Sequence, residues 1–134
     1  MVLLAGALIV GGPALAAGGT KVLTVKMTGK QEVPKGSPTG SGTAKITLDP
    51  GKSRICFRLT WSKIGSPTAS HIHQGAKGKS GNVVVPLFGN PPAKHSGCVP
   101  AKKSLIAAIQ KKPGAYYVNI HTKKYPNGAI RGQL

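Results

Sequence analysis

The chain reads as an all-β domain, an antiparallel β-sandwich or Greek-key-like barrel with one short helix. Three observations predict this. Its apolar residues fall in short runs of period two, as in Ile55-Cys56-Phe57-Arg58-Leu59 and Tyr117-Val118-Asn119-Ile120-His121. Nineteen glycines and eleven prolines supply turns between those runs at regular intervals. Only one segment, around residues 104–111, carries helical spacing.

Met1 to Ala17 are expected to lie outside the fold. Val2 to Val10 form an apolar run too short to span a bilayer, and Ala14-Leu15-Ala16 is a small-x-small cleavage pattern, so residues 1–17 read as a signal peptide although they contain no Lys or Arg. Residues 18–134 are then one exported domain, secreted or periplasmic, of a size that suits a single core. No later segment is apolar enough to be a transmembrane helix.

Within the domain, Val22 to Met27 alternates as a first strand, and Thr28 to Gly40 is a connection rich in Pro and Gly. Gly42 to Leu48 and Ile55 to Trp61 form a hairpin around Asp49-Pro50-Gly51-Lys52, with Gly51 expected at positive φ. Thr68 to His73 is the next strand. The loop Gly75 to Asn82 contains Gly75-Ala76-Lys77-Gly78-Lys79-Ser80-Gly81, which lacks phosphate-loop spacing and precedes a strand, so it reads as a solvated loop. Val83 to Phe88 is β-branched, and Pro86 marks it as an edge strand or its end. Cys98-Val99 is a short strand. Ser104 to Lys111 is the helix, capped by Ser104 or a neighbour and stopped by Pro113-Gly114. Tyr116 to Thr122 and Ala129 to Leu134 are the closing strands, with Asn127-Gly128 suited to a type I′ turn between them.

Cys56 and Cys98 are the only cysteines, and in an exported chain such a pair reads first as a disulfide, ahead of free thiols or a copper-binding pair. The closed loop of about 43 residues would contribute about 4 kcal/mol in the chain-entropy model.

Charge is one-sided. Nineteen Lys and Arg stand against Glu32 and Asp49, a net +17. Such a field attracts anionic surface polymers, lipid headgroups or proteins. Adaptation of solubility to an acidic habitat is the simpler account of it. Aromatics are 4% of residues and no nucleic-acid-binding motif is present, so specific nucleic-acid recognition is not expected.

Three of the four histidines fall on two strands. In Ser70-His71-Ile72-His73, alternation puts His71 and His73 on one face with Ile72 opposite, and in the later strand Asn119 and His121 share a face. With the aliphatic residues in the core, His71, His73 and His121 stand on outer faces where they can converge. Imidazoles suit copper or zinc. The other reading is a polar layer that hydrogen-bonds strand ends together, and the scarcity of carboxylates favours it. His95 is a fourth candidate ligand. Glu32 is either a partner of these histidines or, as expected here, the ion-pair partner of Arg131. Asp49 is a turn residue. No catalytic set assembles: two carboxylates are too few for paired-carboxylate chemistry, and Ser70 and His71 point to opposite faces.

Several of these segments, taken in order, carry a resemblance. Thr28-Gly29-x-x-Glu32-Val33-Pro34, Ala69-x-His71-Ile72-His73-x-Gly75, Val85-Pro86-Leu87 and Tyr117-Val118-Asn119-Ile120-His121-Thr122 come first. Tyr125-Pro126-x-Gly128-x-Ile130-Arg131-Gly132-Gln133 follows, and together they resemble the chordin-type (CHRD) domain family over about residues 21 to 134. The cysteine pair and the helix are similar to those of its bacterial single-domain members. The resemblance implies an extracytoplasmic all-β module, a non-catalytic binding or structural unit, and no assigned activity. A looser likeness, to the copper side of Cu,Zn superoxide dismutases, covers only His71, His73 and His121. The long zinc loop of those enzymes has no counterpart here, and dismutase activity is not expected.

Overall fold

The computed structural model describes residues 18–89 and 92–134; the expected signal peptide lies outside them. Eight antiparallel strands form one sheet: β1 (Lys21–Thr28), β2 (Ser41–Asp49), β3 (Arg54–Ser62), β4 (Pro67–Gln74), β5 (Val83–Gly89), β6 (Ser96–Pro100), β7 (Tyr116–Thr122) and β8 (Ile130–Gln133). Their order is β5-β4-β7-β8-β1-β2-β3-β6. The two outer strands, β5 and β6, approach one another, so the sheet curls into a nearly closed barrel. Helix α1 (Lys103–Lys111) packs against β2 and β3.

Period-two alternation decides what the barrel encloses. Ala44, Ile46 and Leu48 of β2 and Ile55, Phe57 and Leu59 of β3 point inward and are buried, with Lys45 and Arg58 between them on the outside. Ile72 of β4, Val85 and Leu87 of β5, Val118 and Ile120 of β7 and Ile130 of β8 complete the ring. Ile106 and Ile109 of α1 lie at helical spacing and join the same core fully buried. Complete burial of one such side chain is worth about 1.5–3 kcal/mol.

Cys56 and Cys98 are register partners on β3 and β6, and they form a disulfide on the outer face of the barrel. Pro86 sits in β5, the last strand on its side of the sheet, as the missing N–H requires.

Three local expectations are corrected. In the β2–β3 hairpin, positive φ falls on Ser53 (+47°) and not on Gly51. Asp49 does serve the turn, since its Oδ1 accepts from Lys52 N–H at 3.1 Å, but it also pairs with Arg54 at 3.2 Å. The type I′ turn is not formed. Gly128 takes φ +125° while Asn127 stays out of the left-handed region, and Gly128 N–H closes a turn on the Tyr125 carbonyl at 3.0 Å. Finally, α1 has no side-chain cap: Lys102 takes the N-cap position.

Candidate functional site

The outer face of β4, β7 and β8 is not a solvent face. His73, Asn119 and Arg131 are buried there, and His71 and His121 are half-buried. Two connections distant in sequence cover them. One runs from Gly29 to Gly40 between β1 and β2, and it is anchored where Ser37 N–H donates to the Ala129 carbonyl at 2.9 Å. The other is Gly75–Asn82, and the two are tied together by Ser80 Oγ donating to the Val33 carbonyl at 2.9 Å.

Arg131 holds the second connection down. Its Nη1 donates to the Lys79 carbonyl at 2.7 Å and its Nη2 to that of Ala76 at 3.0 Å, with the guanidinium 3.4 Å from the Tyr117 ring centre. The loop is therefore clamped, not merely solvated. The expected Glu32–Arg131 ion pair is absent, because the guanidinium is engaged by those carbonyls; among the described residues the one ion pair is Asp49–Arg54.

Three imidazoles converge under this cover. His71 and His73 come from β4 and His121 from β7, and one nitrogen of each lies within 4.8 Å of the others. The two irregularities in the β4–β5 pairing place their extra residues, Leu87 and Val84, on β5, so β4 keeps an unbroken register with β7 through both histidines. His95 is not among them. It stacks on Trp61 at 3.9 Å and bonds the Leu59 carbonyl through Nδ1.

Carbonyl partners fix the tautomers, because a carbonyl only accepts. His121 Nδ1–H donates to the Pro126 carbonyl at 2.9 Å, leaving the Nε2 lone pair to face His71 Nδ1 at 3.0 Å. His73 Nδ1–H donates to the Gly81 carbonyl at 2.9 Å, and its Nε2 lies 3.0 Å from Asn119 Oδ1. By turning over, the Asn119 amide offers an acceptor to a protonated Nε2 or a donor to a bare one. Tyr117 stacks on His73 at 4.7 Å and accepts from Gly81 N–H at 3.2 Å.

Burial favours the neutral form of His71, His121 and Glu32. Desolvation, reinforced by His121 and His73, lowers the His71 pKa to about 4. Desolvation also lowers that of His121, against the Pro126 hydrogen bond. Desolvation raises Glu32 to about 7, outweighing the Asn119 side chain, Arg131 and the Val33 backbone, which all favour the charged form. Glu32 Oε1 is buried with no hydrogen-bond partner. A cavity of about 420 Å³ brings Glu32 together with His73, Asn119 and His121.

Sequence alternation located the histidines and allowed Glu32 as their partner; Tyr117 stacked on His73 and the Pro126 carbonyl bonded to His121 are neighbours that the sequence reading did not name. Arg131, expected to pair with Glu32, is instead the clamp of a loop.

Comparison with protein families matches residues 23–134 to the CHRD domain model. Comparison with curated proteins and with solved structures gives no match.

Proposed function

The chain belongs to the CHRD domain family, and on that premise we propose that it is a non-catalytic, extracytoplasmic binding module whose cationic surface takes anionic partners. One observation carries this reading. All sixteen lysines are exposed, while Glu32 is buried and Asp49 is paired with Arg54. Little negative charge is left on the surface to offset the lysine field, which therefore reaches any approaching polyanion. The disulfide suits an oxidising compartment outside the cytoplasm. Among the described residues no helix is long and apolar enough to cross a membrane.

The field has a place to concentrate. A cavity of about 490 Å³ is lined by Lys63, Lys123 and Lys124 together with the hydroxyls of Thr39 and Ser66. Ammonium groups and hydroxyls around one concavity suit carboxylate, sulfate or phosphate groups on a polymer.

Titration with polyphosphate and with poly-glutamate at low and at physiological salt tests the reading. The expected result is binding that weakens steeply with salt. It should weaken further in Lys63→Ala/Lys123→Ala/Lys124→Ala than in the helix control Lys102→Ala/Lys103→Ala/Lys111→Ala. Equal losses would remove the cavity from the proposal, and no binding at low salt would end it.

A further inference from the structure

We propose that His71, His73 and His121 form a site for a transition-metal dication, and that copper(II) is the ion it holds most strongly. The inference is independent of the cationic surface and concerns the covered face of the barrel.

Spacing comes first. His71 Nδ1 and His121 Nε2 stand 3.0 Å apart, and a nitrogen of each of the three rings lies within 4.8 Å of the others. Two nitrogens bound to one ion at about 2.0–2.1 Å stand at roughly the separation of the first pair. The rings are carried by paired strands, β4 and β7, with His71 opposite Asn119 and His73 opposite Tyr117, so the ligands rest on ladder hydrogen bonds and not on a free loop.

Orientation comes second. Histidine ligands characteristically donate their other ring N–H to a carbonyl or carboxylate, which fixes the tautomer and raises the basicity of the ligating nitrogen. His121 does this through Pro126 and His73 through Gly81, each at 2.9 Å. In both rings Nε2 is the remaining nitrogen; that of His121 faces His71 Nδ1 and that of His73 faces the Asn119 amide, each at 3.0 Å, contacts that a bound ion would replace.

Charge comes third. With +17 on the chain, a dication needs a local compensating anion. Of the two carboxylates, Glu32 lines the same cavity as His73 and His121, is 4% exposed, and has a buried oxygen without a partner. A cation among the imidazoles would supply what that carboxyl lacks.

Donor chemistry selects the ion. Three imidazoles with no thiolate favour borderline metals over magnesium or calcium, and the stability order of divalent ions places copper above zinc. The cysteines are joined to each other on another part of the barrel.

The test is titration of the untagged, disulfide-bonded protein with Cu²⁺ and, separately, Zn²⁺, followed by calorimetry and by electron paramagnetic resonance of the copper form. The expected result is one ion per chain, copper tighter than zinc, with nitrogen hyperfine structure from imidazole ligands. His121→Ala and His73→Ala should each weaken binding by about 100-fold or more, and His95→Ala should leave it unchanged. Equal binding by all four proteins, loss in His95→Ala alone, or a copper spectrum without imidazole nitrogen would overturn the proposal. If an alanine variant fails to fold, the spectrum of the unaltered protein and the His95→Ala comparison still decide it.

Discussion

The Cα of Gly128 lies against the carboxyl group of Glu32, so closely that a β-carbon on residue 128 would run into both carboxylate oxygens. The turn before β8 and the connection after β1 thus meet at the one buried acid. Gly128 also has φ +125°, a conformation that side chains disfavour.

Replacing Gly128 with alanine is expected to destabilise the domain by about 2 kcal/mol or more, from backbone strain together with the clash. Chemical denaturation of Gly128→Ala beside Gly128→Ala/Glu32→Ala separates the two. Partial recovery in the double variant is the expected result. Full recovery would mean that the backbone conformation carries none of the cost.

Glu32 gives stability a definite pH dependence. Its folded pKa of about 7 lies above the ordinary 4.5, so between these values the native state keeps a proton that the unfolded chain has released. This contribution is complete below pH 4.5 and is lost as pH rises through 7. Glu32→Gln should match the native protein near pH 4 and exceed it near pH 8 by up to ~3 kcal/mol. Urea midpoints at the two pH values check this, and equal midpoints at pH 8 would contradict it.

His71 works in the opposite sense. Its pKa of about 4 lies below the ordinary 6.5, so its contribution is complete above pH 6.5 and is lost as pH falls toward 4. Over pH 4.5–6.5 the slopes of Glu32 and His71 oppose one another. With a chelator present, His121, lowered in the same sense as His71, adds to its slope, so the native protein should gain stability as pH rises across this window and Glu32→Gln should gain more. An NMR titration placing His71 near its ordinary value would defeat the expectation.

The Cys56–Cys98 bridge joins the outer strand β6 to β3 on an exposed face, so removing it costs little packing. Cys56→Ser/Cys98→Ser is expected to lower stability by about 2–4 kcal/mol, mainly through the freedom returned to the unfolded chain. A urea series under non-reducing conditions measures it. A loss below about 1 kcal/mol would show that the ladder alone holds β6.

The strand pattern was largely legible because alternation is a local property. β2 and β3 extend one residue beyond each predicted end, and β7 matches its prediction. The outer face of β7 was legible only in part. Asn119 and His121 were placed on a shared face, but nothing local in Tyr117-Val118-Asn119 indicates that both faces are covered. That cover comes from Gly29–Gly40 and Gly75–Asn82, many residues away. The same distance effect explains Arg131. Its charge suggested a carboxylate partner, whereas the fold brings it two carbonyls of a loop some fifty residues earlier. Turn chemistry misled at Gly51 and Asn127 because neighbouring residues, Ser53 and Gly128, absorb the reversal instead.

Prolines stand in both outermost strands, Pro86 within β5 and Pro100 at the end of β6, and both are exposed. An open row of backbone donors is a template on which a second molecule can add its own strand, the first step toward fibrils. Pro86 interrupts that row and Pro100 ends it, and the lysine field repels another copy before it docks. A barrel left slightly unclosed thus offers a second copy little on which to add a strand.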